Sequence, residues 1–334
     1  MNPMPDVGTF VISLDFELLW GVRDKRTVAD YGANILGVRR AIPGMLDLFA
    51  ARGIACTWAT VGFLFCADKD ELMASLPRLL PRYRDARLTP YDDLAGLGRD
   101  EESDPYRYGL SLLRQIQARP RQEIGTHTFS HFYCLEEGGD TLAFRADLAA
   151  AQEVAERRGV KLTSIVFPRN QISAPHLRVC REMGLTAFRG NERVWFHEAR
   201  RDSEQTLPMR AFRLIDSYLP LGGAHVRRPE LVEGLVDVAA SRFLRPVRSS
   251  GAFEKLRLGR ITSAMETAAR TGQVFHLWWH PHNFGVNTQA NLSFLQAVLD
   301  RFGELSSRYG MRSMSMAALA DEVLNGRPGG AAHV

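Results

Sequence analysis

Short apolar runs alternate with amphipathic stretches along much of the chain, and this alternation restricts the fold more than any other feature. Helices are predicted between the runs, for example from Leu36 to Arg52 and from Asp140 to Arg158. Repeated strand–helix units of this kind build parallel sheets. Because polar residues collect where the strands end, a barrel is favoured, although a doubly wound sheet is also consistent. Strands are predicted at residues 9–14, 55–61, 123–126, 162–167, 186–189 and 274–279.

Two long stretches interrupt this alternation. Residues 68–121 are polar and helical in places, and residues 191–271 contain strongly basic pieces such as 242–248. We interpret both as insertions into one domain that covers residues 1–334. A helix over 290–309, a strand over 311–316 and a helix over 317–324 complete the predicted pattern.

Composition excludes several classes of protein. The chain is 45% hydrophobic and 24% charged, as in ordinary globular proteins, and its net charge of +4 gives no indication of nucleic-acid binding. The four cysteines, Cys56, Cys66, Cys134 and Cys180, are scattered and are predicted to be free thiols. No apolar run approaches the roughly 18 residues that a membrane span requires, and residues 1–20 lack a signal-peptide pattern. A cytoplasmic protein is therefore expected, and no pattern specifies its oligomeric state.

The segment Glu123 to His131, EIGTHTFSH, is the strongest local signal for a metal site. His127 and His131 are four residues apart, and on one helical turn this spacing places two imidazoles on the same face. Two imidazoles so placed are close enough to bind one metal ion. Taken alone, the pair is also compatible with ordinary surface or core histidines.

The first predicted strand ends in SLDFE, which places Asp15 two residues from Glu17. In an extended chain both side chains point to the same side. Burying two like charges is costly unless a cation or a shared proton compensates. A metal ion with a nearby base meets this requirement; if the strand has already ended, both acids are instead solvated.

A third signal is FHLWWHPHNFG, in which three histidines surround Trp278 and Trp279. A histidine at a strand end, such as His280, suits a general acid. Neighbouring aromatic rings suit a sugar cleft, where they stack on pyranose rings, and core packing is the alternative for both tryptophans.

In order and setting, these segments resemble the polysaccharide deacetylase family (carbohydrate esterase family 4). That family carries a first motif that is usually TFDDG, a strand like ATFFVxG, a segment such as EIGNHTWSH, an RxPY-like segment and a late strand ending in histidine. The resemblance extends over about residues 9–282. The counterparts here are SLDFE, CTWATVG at 56–62, EIGTHTFSH, FPRNQ at 167–171 and FHLWWH ending at His280.

The resemblance implies a distorted (β/α)7 barrel with one divalent metal ion bound by one acid and two histidines. His127 and His131 match the family's ligands. The acid motif differs, because Phe16 separates the two acids. Asp15 matches the catalytic base, so Glu17 is expected to be the third ligand; the reverse assignment also stays open.

The other site residues are carried over position by position. His280 is expected to be the general acid, and Arg169 is expected to orient the base, although its local order is Pro-Arg rather than Arg-x-Pro. The family's DxxDW motif is not recognisable, and Asp216 is the nearest candidate to tune the acid. Substrate contacts are expected from Trp279, His282 and Arg189.

The implied activity is metal-dependent removal of N-acetyl groups from an N-acetylated sugar, within a glycan or a glycan precursor. Zn²⁺ is expected first, and cobalt, nickel, manganese or iron suit the same donors. Two alternatives stay open. One is a hydrolase of cyclic amides or ureides, similar to allantoinase, on the same barrel. The other is a carbohydrate-binding relative without catalysis.

Overall fold

A parallel sheet surrounded by helices forms the centre of the computed structural model, which describes residues 7–192, 194, 201, 204, 206–218, 222–248 and 251–326. The strands are β1 (Thr9–Phe16), β2 (Cys56–Thr60), β3 (Gln122–Thr126), β4 (Ser164–Ile165), β5 (Ala187–Phe188), β6 (Glu230–Val232), β7 (Leu235–Asp237), β8 (Arg242–Phe243), β9 (Val274–Trp279) and β10 (Arg312–Met314). The helices are α1 (Val28–Ala51), α2 (Lys69–Ala74), α3 (Leu110–Gln117), α4 (Thr141–Glu156), α5 (Ala174–Glu182), α6 (Leu207–Asp216), α7 (Ala252–Thr271), α8 (Thr288–Tyr309) and α9 (Met316–Asn325).

Strand β1 lies in the middle of the sheet and is buried along its whole length. It pairs in parallel with β2 and with β9, while β10 pairs with its first residues. From β2 the sheet continues through β3 and β4 to β5, and all of these neighbours are parallel. Parallel strands that are covered on both faces are apolar along their length, which explains the apolar runs in the sequence.

One continuous stretch of chain, residues 235–243, joins the two ends of this sheet. Its first part, β7, pairs in parallel with β5, and the Ala240 N–H donates to the Gly190 carbonyl at 2.8 Å. Its second part, β8, pairs in parallel with β9, and the Ser241 N–H donates to the His276 carbonyl at 2.9 Å. Within the described residues, β1 to β5, this stretch and β9 form the distorted (β/α) barrel. The expected fold class is confirmed.

The same stretch changes the interpretation of residues 191–271. Because β7 and β8 belong to the barrel, part of that predicted insertion is sheet. Residues 193, 195–200, 202, 203, 205, 219–221, 249 and 250 lie outside the described residues. Residues 68–121 carry α2 and α3 and precede β3.

Helix α1 fixes the turn that follows β9. Its start is stabilised by a capping box, in which Thr27 and Asp30 each accept a hydrogen bond from the other's backbone. It then packs on the 3₁₀ turn Pro281–Phe284, and Asn34 Nδ2 donates to the His282 carbonyl at 3.2 Å. The turn after β9 is thereby held at the carboxyl end of the barrel. No helix in the described part of the chain has the length and apolarity needed to cross a membrane.

Candidate metal centre

A cleft of about 1030 Å³ opens at the carboxyl ends of the barrel strands. In a parallel barrel these ends lie at one face, so residues distant in sequence meet there. The side chains that β1, β3 and β9 contribute to the cleft, directly or just beyond their ends, are Asp15, Glu17, His127, His131, Trp278, His280 and His282.

Glu17, His127 and His131 form a buried cluster at the floor of the cleft. Glu17 Oε2 lies 3.3 Å from His127 Nε2 and 3.2 Å from His131 Nε2. The ligand atoms of the three side chains all lie within 4.8 Å of one another. Two imidazole nitrogens and one carboxylate oxygen are the donors that Zn²⁺ and related divalent ions prefer.

Hydrogen bonds on the far side of each imidazole fix its orientation. His127 Nδ1 lies 2.8 Å from the Val166 carbonyl oxygen, and a carbonyl only accepts, so Nδ1 carries the proton and Nε2 presents a lone pair. His131 Nδ1 lies 3.1 Å from the Tyr133 hydroxyl. Partners of this kind orient metal-binding histidines in proteins.

The charges in the cluster also suit a cation. Burial alone would raise the pKa of Glu17, but the surrounding imidazoles of His280, His127 and His131 favour its ionised form, so its pKa lies well below the usual range. Burial lowers the pKa of His131 to about 4. The ionised Glu17 carboxylate thus faces the neutral imidazole of His131, and these electron-rich atoms fit a bound cation.

The segment that carries both histidines is irregular, and not the helical turn that the four-residue spacing suggested. Thr128 and His131 have φ values of 64° and 61°, in the left-handed region that side chains rarely adopt. Asp147 from α4 holds this conformation, because its carboxylate accepts the backbone N–H of Phe129 at 2.6 Å and of Ser130 at 3.2 Å. The imidazole centroids still lie 5.0 Å apart.

Asp15 lies beside the cluster in a buried ion pair with Arg189, which follows β5. Arg189 Nη1 donates to Asp15 Oδ1 at 2.7 Å and Nη2 donates to Oδ2 at 2.8 Å. Burial raises the pKa of Asp15, but the guanidinium outweighs this effect and leaves the pKa below its usual value. The carboxylate is therefore held ionised and in one orientation.

Arg169 does not occupy the position that the sequence suggested. It pairs with Asp24, and its guanidinium lies 4.4 Å from the centroid of the Tyr133 ring. The partner of Asp15 is instead Arg189, which was expected to contact substrate. Both arginines follow barrel strands, but only the backbone at the end of β5 directs its side chain across the barrel to β1.

His280 lies between the two carboxylates. Its Nε2 is 3.6 Å from Asp15 Oδ2 and 3.7 Å from Glu17 Oε1. The His282 ring stacks on it with centroids 4.9 Å apart, and burial lowers the pKa of His282 to about 3. Asp216, the proposed tuner of the acid, instead pairs with Arg242 at 2.5 Å.

The tryptophan that faces the cleft is Trp278, whereas Trp279 is fully buried. Trp279 packs in the core with its ring centroid 5.6 Å from that of Phe284, so the structure places it away from the cleft in which a substrate contact was expected. Trp278 lines the cleft, with the Arg189 guanidinium 4.1 Å from its ring centroid. Side chains of β9 alternate between its two faces. Trp278, two residues before His280, therefore shares the face of His280, and Trp279 lies on the opposite face.

Gly21 is a site residue that sequence analysis missed. A Cβ atom at this position would lie 1.9 Å from Glu17 Cδ and 2.2 Å from Glu17 Oε2. Any side chain at position 21 would therefore displace the carboxylate. The only signal in the sequence is a glycine four residues after Glu17.

No protein-family model and no curated protein matches the sequence. Similar folds do occur among solved structures. A protein assigned as a polysaccharide deacetylase in Mycobacterium smegmatis aligns with a TM-score of 0.61 and 13% identity, over 99% of this chain and 96% of that one. One so assigned in Pseudomonas aeruginosa PAO1 aligns at 0.56 and 11%, over 96% and 91%. Puue allantoinase aligns at 0.54 and 12%, over 96% and 91%.

These similarities define the class of fold. The chain is an α/β barrel protein with the fold of the polysaccharide deacetylases. The family resemblance seen in the sequence is confirmed at the level of the fold.

Proposed function

We propose that the protein is a metal-dependent hydrolase that removes N-acetyl groups from an amino-sugar-containing glycan or glycan precursor. The observation that carries this proposal is the buried cluster of Glu17, His127 and His131, beside the ionised Asp15. An acid, a base and a candidate metal site meet in one cleft, and this set of groups supports metal-assisted amide hydrolysis.

The ligands in this proposal are Glu17, His127 and His131, and the ion is Zn²⁺ or a related divalent metal. When bound, the ion supplies a Lewis acid at the cleft floor and lowers the pKa of water that contacts it. Glu17 takes the ligand position because its carboxylate faces both Nε2 atoms. Asp15 lies outside the group of ligand atoms and is held by Arg189, which donates to both of its oxygens.

Asp15 is the general base in this proposal. Its ionised carboxylate accepts a proton from a water molecule that attacks the acetamide carbonyl. Arg189 is a positioning residue, because its two parallel hydrogen bonds keep the carboxylate charged and fixed in direction.

His280 is the proton donor to the departing amine. Its side chain is 24% exposed to the cleft, and its Nε2 lies within 3.7 Å of both carboxylates, so it can reach a leaving group bound there. Trp278 provides an aromatic wall on which a pyranose ring can stack, taking the role first assigned to its neighbour.

A second candidate is hydrolysis of a cyclic amide or ureide. The observation that favours it is the fold shared with Puue allantoinase, at a TM-score of 0.54. The same base and acid would act on that substrate, so the two candidates differ in the amide that the cleft accepts.

The test measures metal content, acetate release from N-acetylglucosamine oligomers and ring opening of allantoin by the purified protein. Acetate release that is lost in Asp15→Asn and retained in Asp300→Asn, an exposed control, supports the proposal. Ring opening without acetate release selects the second candidate. Sugar binding without turnover of either compound indicates a binding protein and overturns both.

A further inference from the structure

We infer that the sugar accepted by this cleft carries an anionic group, a carboxylate or a phosphate, close to the acetamide that is hydrolysed. This inference rests on the proposed function and specifies its substrate class. Its basis is the charge of the cleft wall. The basic residues that line the cleft are Lys25, Arg26, Arg169, Arg213, Arg245 and Arg248.

Two of these charges are compensated by acids outside the lining, since Arg169 pairs with Asp24 and Arg26 pairs with Asp30. Asp15 and Glu17 are the carboxylates among the described lining residues. Arg189, from outside the lining, binds both oxygens of Asp15, and Glu17 faces the two ligand histidines. Neither lining carboxylate is therefore paired with Arg245 or Arg248, and a cation at the floor would add to their positive charge.

The inference of an anionic substrate rests mainly on Arg245 and Arg248, which lie in the segment after β8. Among the described residues, neither makes a hydrogen bond or an ion pair. Arg245 is half-buried, and burial and the neighbouring guanidinium of Arg248 lower its pKa. A guanidinium that is partly removed from water and lies beside like charges is costly to maintain without a counter-ion.

In a second charged pocket, basic residues are paired with acids of the protein. It lies next to the cleft, shares Lys25 and Arg169 with it, and also contains four acids. There Arg84 pairs with Glu137 at 3.1 Å and Arg87 pairs with Asp85 at 2.7 Å. Arg84, Arg87 and Arg169 are thus paired with acids of that pocket, whereas Arg245 and Arg248 have no such partner among the described residues.

Arginine is the side chain best suited to such a ligand. Its planar guanidinium donates two parallel hydrogen bonds to a carboxylate or a phosphate. A neutral oligomer of N-acetylglucosamine offers only hydroxyl and amide groups, which leave the positive charge uncompensated. A sugar with a uronic acid or a phosphate neighbour supplies the missing counter-ion.

The experiment compares three substrates of the metal-loaded protein by kcat/KM for acetate release. They are a neutral N-acetylglucosamine disaccharide, a disaccharide of N-acetylglucosamine and glucuronic acid, and N-acetylglucosamine 1-phosphate. We expect one anionic substrate to exceed the neutral one by about tenfold or more, the equivalent of one charge-assisted hydrogen bond. Which of the two does so distinguishes carboxylate from phosphate.

Arginine variants test the origin of this preference. Arg245→Gln and Arg248→Gln together should abolish it, whereas Arg270→Gln, an exposed control outside the cleft, should not. Arg245→Lys keeps the charge and should retain part of the preference. Equal kcat/KM for neutral and anionic sugars, or a preference that survives the double variant, would overturn the inference while leaving deacetylation intact.

Binding provides a readout that does not depend on turnover. Calorimetric titration of the Asp15→Asn protein with the same compounds should show tighter binding of the preferred anionic sugar, weakening as salt rises. If this preference is present but the parent protein releases no acetate, the proposed function fails and the charge inference stands. Equal affinity for all three compounds overturns the inference whatever the activity.

Discussion

Arg189 binds Asp15 through two parallel hydrogen bonds of 2.7 and 2.8 Å, and this pair joins the far side of the barrel to the centre of the cleft. The contact continues through Ser13, whose hydroxyl accepts from Arg189 at 3.0 Å and lies 2.8 Å from His276 Nε2. Four barrel residues, in or directly after three strands, are thus linked by short, buried contacts. The proposed base is held rigidly as a result.

Replacing Arg189 with lysine should separate charge from geometry. Lysine keeps the positive charge but cannot donate the two parallel hydrogen bonds of the guanidinium. Because Asp15 then loses its fixed orientation, we expect kcat to fall by about ten- to hundredfold. The acidic limb of the kcat/KM profile should move to higher pH, because the guanidinium lowers the pKa of Asp15. Steady-state kinetics between pH 4 and 8 would measure both effects.

Arg169→Lys is the matched control, since this arginine pairs with Asp24 and not with the base. The acidic limb of the kcat/KM profile of Arg169→Lys should coincide with that of the parent protein. If Arg169→Lys moves the limb and Arg189→Lys does not, the original assignment of Arg169 to the base is restored.

Binding of Zn²⁺ should be visible without any assay of activity. A ligand that binds only the folded state stabilises it by about 2.7 kcal/mol at a hundredfold excess over its Kd. We expect Zn²⁺ to raise the Tm of the parent protein and of His176→Gln, whose histidine bonds to Ser173 away from the cluster. In Glu17→Gln and His131→Gln the rise should be largely lost.

Chelation of the metal-loaded protein should reverse the same shift. Differential scanning fluorimetry with and without chelator would measure it. An equal rise in Tm for all four proteins would place the ion elsewhere in the molecule.

Gly21→Ala should weaken the metal site although no proposed ligand is replaced. The new methyl group would overlap the Glu17 carboxylate, at 1.9 Å from Cδ, so the carboxylate must move away from His127 and His131. Changing a residue that supports a metal ligand typically lowers metal affinity ten- to hundredfold, and we expect a loss of that size here. Calorimetric titration with Zn²⁺ would give the change directly.

Gly303→Ala is the control for a glycine substitution. No atom lies within 4 Å of a Cβ at this position on α8, and alanine favours a helix by about 1 kcal/mol over glycine. Metal affinity should be unchanged there. An unaltered affinity in Gly21→Ala would mean that the carboxylate has another position from which to bind.

The longer strands were predictable because their signal is local. Strand β9 lies at the predicted residues 274–279, and β3 begins one residue before the predicted 123. Strands β7 and β8 were missed because they are short and lie in the basic stretch 191–271, where no alternation of apolar runs with helices marks them. Helix α1 begins at Val28 rather than Leu36, because the capping box at Thr27 outweighs the weak helix formers after it.

The functional site was also predictable only in part. The spacing of Asp15 and Glu17 and of His127 and His131 led to four side chains that the structure brings into one cleft. The partner of Asp15 could not be chosen between two arginines, because that choice depends on which strand end faces β1 across the barrel. Such a relation is set by tertiary packing and leaves no local pattern.

Folding stability should fall as pH decreases from neutrality, and His276 is expected to contribute. Its Nδ1 donates to the Val238 carbonyl at 2.8 Å, which leaves Nε2 as an acceptor for the Ser13 hydroxyl. Burial, with the nearby Arg189 charge, lowers the pKa of His276 to about 3. In the unfolded chain the pKa returns to about 6.5, so unfolding takes up one proton between these two values.

The stabilising effect of neutral His276 is therefore complete above about pH 6.5 and is lost as pH falls toward 3, by at most about 1.4 kcal/mol per pH unit. Urea unfolding at pH 7.0, 6.0 and 5.0 would measure the slope. In His276→Gln the amide can still donate to Val238 and accept from Ser13 but cannot titrate, so its slope should be shallower by about one proton. An equal slope in both proteins would mean that the pKa of His276 is the same in the folded and unfolded states, so that burial does not keep this imidazole neutral.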